Sequence, residues 1–282
     1  MIFFTTHEIE QWIAEDAPLV DLTSHLLGID QQPALLEVST RQPTCLALME
    51  EARRIFELLD CRVTHFEPSG KTVAKNTTIL RAQGASKDLH RGWKVAMNLL
   101  ETQCGVATHT AEMVKKVSAV SDIPLLVTRK HTPGLKKLLT KSILAGGAHP
   151  HRLGLSETIL IFQNHLNLIG GRSALVETLA SLKSAAVEKK IAVECETLDQ
   201  ALQAVDSKMV DVIQFDKVPI DTLQHWCQII KRHTPAIKIL VAGGLNSQNI
   251  QAYAQCGVDG LVLSSLYHAP PADFGVTIQL VE

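Results

Sequence analysis

The segment Thr128-Arg129-Lys130-His131-Thr132-Pro133-Gly134 and, shortly after it, Gly146-Gly147-Ala148-His149-Pro150-His151-Arg152 set fixed cations beside turn-making glycines. That combination can grip a polyanion. A guanidinium offers a planar fork to a carboxylate or phosphate, whereas an ammonium acts as a point charge. Two unit charges about 4 Å apart attract by about 1 kcal/mol in water and about 4 kcal/mol at an effective dielectric of 20, so such cations count most in a sheltered cleft. Taken alone, Arg129 and Lys130 read equally well as a solvated basic loop. Further along, Glu194 and Glu196, Asp216 and Lys217, Ala242-Gly243-Gly244-Leu245-Asn246, and Ser264-Ser265 add carboxylates, a glycine turn and hydroxyls.

Scattered residues do chemistry only if secondary structure brings them to one place. Leu125-Leu126-Val127 reads as a short buried strand, and Pro133-Gly134 opens an amphipathic stretch from Leu135 to Ala145, so Arg129 and Lys130 fall at the carboxyl end of a strand where a helix begins. Regular alternation follows: strands at 158–162, 191–195, 209–214, 237–241 and 259–263, with helices at 173–187, 198–205, 219–232 and 247–255. Such alternation implies parallel strands joined by crossovers. The carboxylates, the glycine pair and the serines each sit where a strand stops, and a ring of strand ends converging on one mouth is what a (β/α) barrel provides. Spacing alone leaves an open sheet as the alternative.

The first part of the chain has a different texture. It mixes a helix at 7–15, a strand at 35–40, a helix at 47–59 and β-branched stretches at 62–66 and 77–81, without strict alternation, which suggests an α+β unit with an antiparallel sheet. Residues 87–117 read as a long helical region interrupted at Gly105, and 274–281 alternate like a strand that returns to the first sheet. The expected domains are therefore 1–107, joined by 268–282, and 108–267.

At 282 residues, 46% of them apolar, the chain can bury a substantial core. A formal net charge of −2 argues against a general nucleic-acid binder, so any anion site must be local. The six cysteines show no C-x-x-C pair, which indicates reduced thiols rather than a disulfide framework or a zinc site. The start Met1-Ile2-Phe3-Phe4-Thr5 lacks a basic leader, and no apolar run approaches the roughly 18 residues of a membrane helix. A cytoplasmic protein without membrane or nucleic-acid partners is expected.

The ordered set T-R-K-x-x-P-G (128–134), G-G-x-x-x-H-R-x-G-L (146–155), N-H (164–165), V-E-x-E-T (193–197), Asp216 and G-G (243–244) resembles the quinolinate phosphoribosyltransferase (nicotinate-nucleotide pyrophosphorylase) family. The likeness extends to E-D-x-x-x-x-D-L-T (15–23) and N-L-L-x-x-x-x-G-V-A-T (98–108), and within the family it is greatest to the ModD-type branch associated with molybdenum transport. The resemblance implies an α/β protein with an N-terminal sandwich domain, an incomplete α/β barrel, and a homodimer that shares its active sites. It also implies attack of a nitrogen nucleophile on C1 of phosphoribosyl pyrophosphate with Mg²⁺ and loss of pyrophosphate.

Carried onto this sequence, the resemblance implies a catalytic set of Lys130, Glu194 and Asp216, with Glu194 and Asp216 also holding Mg²⁺. Ala242, Gly243 and Gly244, flanked by Ser264 and Ser265, would take the 5-phosphate, helped by the start of the next helix. Arg129, His151 and Arg152 would meet the acceptor's carboxylates. Lys94 stands where the family usually has an arginine given across the dimer, Phe162 where it has a lysine, and Ser264 where it has a glycine. Loss of the lysine at 162 implies an anionic or heteroaromatic acceptor other than quinolinate. The competing reading is an anion-binding or regulatory protein on the same scaffold, with molybdate as one candidate ligand.

Overall fold

The computed structural model describes residues 2–281; Met1 and Glu282, the two ends of the expected first domain, lie outside the described residues. The chain begins with α1 (Thr6–Asp16), α2 (Leu22–Leu27), β1 (Pro33–Thr40), β2 (Thr44–Cys45), α3 (Met49–Leu58), β3 (Arg62–Phe66), β4 (Thr72–Val73), β5 (Thr78–Ala85) and α4 (Ser86–Ser118). It continues through β6 (Leu125–Val127), α5 (Lys136–Ala145), β7 (His149–Pro150), β8 (Ile159–Ile161), α6 (Gln163–Ile169), α7 (Arg172–Ala185), β9 (Ile191–Cys195) and α8 (Leu198–Asp206). Then come β10 (Val212–Asp216), α9 (Ile220–His233), β11 (Lys238–Ala242), α10 (Ile250–Ala254), β12 (Gly260–Leu263), a 3₁₀ turn (Ser265–His268) and β13 (Phe274–Leu280).

These elements gather into two compact units. The first comprises the described residues up to Glu112, His131–Gly147 and those from Leu266 on; the second comprises Met113–Lys130 and Ala148–Ser265. Both the expected limit at 107 and the observed one fall inside α4. Side chains explain why α5 gathers with the first unit. The Lys141 ammonium, 8% exposed, donates to Glu51 at 2.7 Å and to Glu50 at 3.1 Å, and Ser142 donates to Gln103 at 2.8 Å. A buried lysine needs such partners, because its desolvation is otherwise uncompensated.

In the first unit β13, β1, β5 and β3 lie side by side in that order, all pairs antiparallel. Burial alternates along β1, so Ala34, Leu36 and Val38 face the core, as a sheet with one covered face requires. α4 is continuous through Gly105, contrary to the interruption expected there. The glycine answers a packing need instead: a Cβ at 105 would run into the Pro270 carbonyl oxygen and lie 3.1 Å from Pro271 Cα.

The second unit is a curled, open sheet of seven parallel strands in the order β7-β6-β12-β11-β10-β9-β8. Its strands are near-continuous apolar runs, such as Gly260–Leu263, because both faces are covered. The alternation expected from sequence is present with four main changes. β7 and α6 were not anticipated, β10 runs 212–216 rather than 209–214, and α10 runs 250–254 rather than 247–255. The later start of β10 follows from Lys208, which sits at φ 58, and from Asp211, whose carboxylate is engaged elsewhere.

Two aspartates pin the amino-terminal side of this sheet in the same way. Asp211 Oδ2 accepts from the Ile191 N–H at 2.9 Å and from Lys183 at 2.9 Å, while Oδ1 accepts from Lys190 at 3.0 Å. Asp259 repeats the device with identical spacing, taking the Ile239 N–H at 2.8 Å, Lys231 at 2.7 Å and Lys238 at 3.1 Å. Burial alone would raise both carboxyls, but the lysines and the N–H donors outweigh it and hold them below the usual aspartate range.

Replacing Gly105 with alanine gains about 1 kcal/mol of helix propensity, yet overpacking against a backbone oxygen costs about 1–3 kcal/mol. Gly105→Ala should therefore lower the urea midpoint; a raised midpoint would show that the chain at Pro270 yields easily.

Candidate active site

A cavity of about 570 Å³ opens at the carboxyl ends of the parallel strands, and the whole of its lining belongs to the second unit. Thr128, Arg129 and Lys130 follow β6; His151 and Arg152 follow β7; Leu160 and Phe162 mark the end of β8. Glu194 comes from β9, Gln214, Asp216 and Lys217 from the end of β10, and Ala242, Gly243, Gly244 and Leu245 from the turn after β11. Val262, Leu263, Ser264 and Ser265 complete it. β7 and β8 are the two free edges of the sheet, and His151 and Arg152 begin the connection, residues 151–158, that joins one edge to the other.

Every expected site residue but one thus meets at this mouth. Lys94 is exposed on α4 in the first unit, its ammonium 5.6 Å from the centre of the Trp93 ring, and it is not part of the lining. Glu196 is also apart. β9 ends at Cys195, so the alternation that would have turned Glu196 alongside Glu194 stops one residue short, and Glu196 is exposed with its N–H on Gln200 Oε1 at 2.8 Å.

The carboxylate side is fixed by the register of three strands. Gln214 lies opposite Glu194, and Asp216 opposite Ala242. Gln214 Nε2 donates to Glu194 Oε2 at 3.0 Å, and the Arg172 guanidinium donates to the Glu194 backbone oxygen at 3.1 Å. Burial pushes the Glu194 carboxyl above its ordinary value; the Gln214 bond and Lys130 oppose the shift, while Asp216 and Glu196 add to it.

The glycine turn is built around Asp216. Gly243 and Gly244 hold φ 82 and φ 74, a region that favours glycine. A Cβ at 243 would collide with Asp216 Oδ1 and lie 2.6 Å from Lys217 Cγ, and the Lys217 N–H donates to the Ala242 oxygen at 2.8 Å. The helix expected to begin at 247 does not follow at once. Asn246 and Asn249 close the loop on themselves, with Asn246 N–H on Asn249 Oδ1 at 2.8 Å and Asn249 Nδ2 on the Gly244 oxygen at 3.0 Å. α10 then starts at Ile250 and is only five residues long, so the helix-end field expected to help bind a phosphate is not built here.

The cations Arg129, Lys130 and Arg152 follow β6 and β7. Burial, then the neighbouring Arg152, lowers the His151 pKa, and burial and Arg129 lower that of Arg152 against the pull of Glu157. Both shifts disfavour the charged form of the side chain concerned. Phe162 adds an apolar face. Its ring meets His165 edge-on with centroids 4.2 Å apart, and its N–H donates to His165 Nδ1 at 3.3 Å. His165 serves that ring rather than the cavity wall; His149 is exposed on β7, and His131 meets Tyr267 edge-on at 6.2 Å.

Sequence reasoning passed over Gln214 and noted Lys217 only as a residue at a strand end, with no role of its own. Gln214 had a signal: it lies two residues before Asp216 on a strand, and period-two alternation turns both to one side. Lys217 had none, since its place depends on a left-handed backbone at φ 56.

The family comparisons agree with this architecture. The quinolinate phosphoribosyl transferase C-terminal domain matches residues 106–277, and the N-terminal domain of the same family matches residues 21–104. The chain belongs to the quinolinate phosphoribosyl transferase family, which supports a phosphoribosyltransferase-type activity. Its relatives include the ModD protein of Pasteurella multocida (strain Pm70), 34% identical over 99% of each chain. ModD of Escherichia coli O6:H1 is 32% identical over 99% of this chain and 98% of its own. In fold it is similar to the nicotinate-nucleotide pyrophosphorylase from Francisella tularensis, with a TM-score of 0.89 at 24% identity over 97% of this chain and 95% of that one.

The environment of His151 is open to direct measurement. In an NMR titration its ring should protonate below the ordinary histidine value, and Arg152→Gln should raise that midpoint only part of the way, because burial is the larger cause. A midpoint at or above the ordinary value in the intact protein would contradict this packing.

Proposed function

We propose that the protein transfers the phosphoribosyl group of phosphoribosyl pyrophosphate to a small anionic or heteroaromatic nitrogen acceptor and releases pyrophosphate. The observation that carries this reading is the division of the cavity by strand: the acceptors Glu194, Gln214 and Asp216 come from β9 and β10, the cations Arg129, Lys130 and Arg152 follow β6 and β7, and Lys217 adds a cation 3.7 Å from Asp216. A phosphorylated sugar is divided likewise, with hydroxyl donors at one end and anionic groups at the other. Membership of the family supports the same assignment.

In this reading the Gly243–Gly244 turn, with Ser264 and Ser265, takes the 5-phosphate through backbone N–H and hydroxyl donors. Lys130 faces the pyrophosphate. As the C1–oxygen bond lengthens, its electron pair goes to the departing pyrophosphate and positive charge grows on the ribose; the Glu194 and Asp216 carboxylates favour that charge. The acceptor's nitrogen lone pair then forms the new bond to C1. Arg129, His151 and Arg152 hold an anionic group of the acceptor, and Phe162 offers a face for a flat ring in place of a cation.

Mg²⁺ suits this donor set, because it takes one or two carboxylates together with substrate phosphates, and Glu194 and Asp216 are hard oxygen ligands on adjacent strands. When bound, it would neutralise charge on the pyrophosphate. A homodimer with Lys94 contributed across its interface belongs to the same proposal. So does a cytoplasmic setting, with which six free, buried cysteines are compatible; no helix among the described residues is long and apolar enough to cross a membrane. The tie to molybdenum transport rests on likeness to the ModD relatives.

Calorimetric titration with phosphoribosyl pyrophosphate and Mg²⁺ tests the donor half. Saturable binding is expected, weakened about tenfold or more in Lys130→Ala and in Asp216→Ala, as loss of a hydrogen bond to a charged group implies. Absence of binding, or binding unchanged in both variants, overturns the assignment. A mass-spectrometric screen of nitrogen acceptors should then find pyrophosphate release. Molybdate binding without turnover of any acceptor would favour the non-catalytic reading.

A further inference from the structure

The strand that carries Glu194 is held at its end by a side chain where a neighbouring strand would be expected. Ile159 N–H donates to the Lys190 oxygen at 3.0 Å, and the register from Ile159↔Ile191 to Ile161↔Val193 carries this ladder forward two residues at a time. The carbonyls of Lys190, Ala192 and Glu194 therefore turn toward β8. The donor due to the Glu194 oxygen is the N–H of Gln163. β8 ends at Ile161, however, and Gln163 is the first residue of α6. The Arg172 guanidinium takes that place, donating to the Glu194 oxygen at 3.1 Å and reaching Cys195 Sγ at 3.9 Å.

Neither of these partners is a carboxylate. A rigid fork of N–H donors suits two successive groups at a strand end, and a strand carbonyl left without a donor is costly. Arg172 is half-buried and opens α7, which starts after the left-handed Gly170–Gly171 turn. It is not part of the cavity lining. Glu194 is thus gripped from two directions: Gln214 on β10 donates to its carboxylate at 3.0 Å, and Arg172 holds its backbone. β9 runs only one residue past Glu194, and β8 is a three-residue strand at a free edge, so without Arg172 the strand end and its carboxylate would fray together.

We propose that Arg172 is a positioning residue: by supplying the last ladder bond of β9 it holds the Glu194 carboxylate where the phosphoribosyl donor meets it. This rests on the phosphoribosyl reading of the cavity and adds to it a residue outside the cavity wall. Arg172 touches no ligand in this arrangement, so its effect on binding passes through Glu194.

A cycle of variants isolates that coupling. Calorimetric titration with phosphoribosyl pyrophosphate and Mg²⁺ compares the wild type, Arg172→Met, Glu194→Gln and the double variant, with Arg172→Gln used if the methionine variant does not fold. Arg172→Met should weaken binding about fivefold to tenfold, the scale of one hydrogen bond. In the Glu194→Gln background the same change should cost less than about twofold, because no carboxylate remains to be placed. A loss of equal size in both backgrounds is what a merely structural role predicts, and it overturns the proposal. So does an Arg172→Met variant that binds like the wild type. Either result leaves the phosphoribosyl reading standing. If the wild type does not bind phosphoribosyl pyrophosphate, that reading fails and the role of Arg172 fails with it.

Discussion

The site depends on the contact between the ends of β10 and β11. Asp216 closes one strand, Gly243 follows the other, and the space between them admits no Cβ. The Lys217 N–H on the Ala242 oxygen locks the same two ends in register. One carboxylate is thereby held beside one glycine turn, and the positions of Asp216 and of the Gly243–Gly244 turn are settled together. Gly243 is therefore explained twice, by packing against Asp216 and by the open backbone it leaves for an anion. A side chain at 243 would strain the first before it could affect the second.

That contact can be held because the opposite side of the sheet is pinned. Asp211 and Asp259 each tie a lysine on a helix, a lysine at the start of a strand and the N–H of the following residue into one cluster. Isolated surface ion pairs contribute little, but these carboxylates are mostly buried and also satisfy backbone donors. A slip of β9 against β10, or of β11 against β12, would strand a buried aspartate and leave an N–H unpaired. Registers chosen at the foot of the sheet therefore appear at its mouth, where Glu194, Gln214 and Asp216 line up.

Much of this was legible in the sequence because parallel α/β structure has a strong period: most of the order of strands and helices from Leu125 to Leu263, and the carboxylates, glycine pair and serines of the cavity, follow from alternation and from which residues end each strand, whereas His151, Arg152 and Phe162 came from the family resemblance. What was not legible depended on contacts distant in sequence. Gly105 looks like a helix break because local propensity treats glycine as one, whereas the fold uses it for close approach of Pro270. The helix expected right after Gly244 is displaced because two asparagines bond to each other and to the turn. Glu196 looked equivalent to Glu194 until the strand ended between them. The grouping of α5 with the first unit turns on Lys141 finding Glu50 and Glu51, partners no local window contains.

The chemistry of the mouth follows from charge left unbalanced on purpose-built ground. The chain is nearly neutral, with a formal charge of −2, but burial, and then the nearby Arg129, disfavours the charge of Arg152. The half-buried His151 beside them is itself shifted down by burial and by Arg152, which disfavours a further positive charge there. On the other side, Glu194 is disfavoured by burial and by Asp216. Each half would be eased by a ligand of opposite character, an anion for the arginines and a donor or cation for the carboxylates. A ligand that offers only one of these eases one half, whereas the phosphorylated sugar of the proposed function, carried with a divalent cation, would ease both.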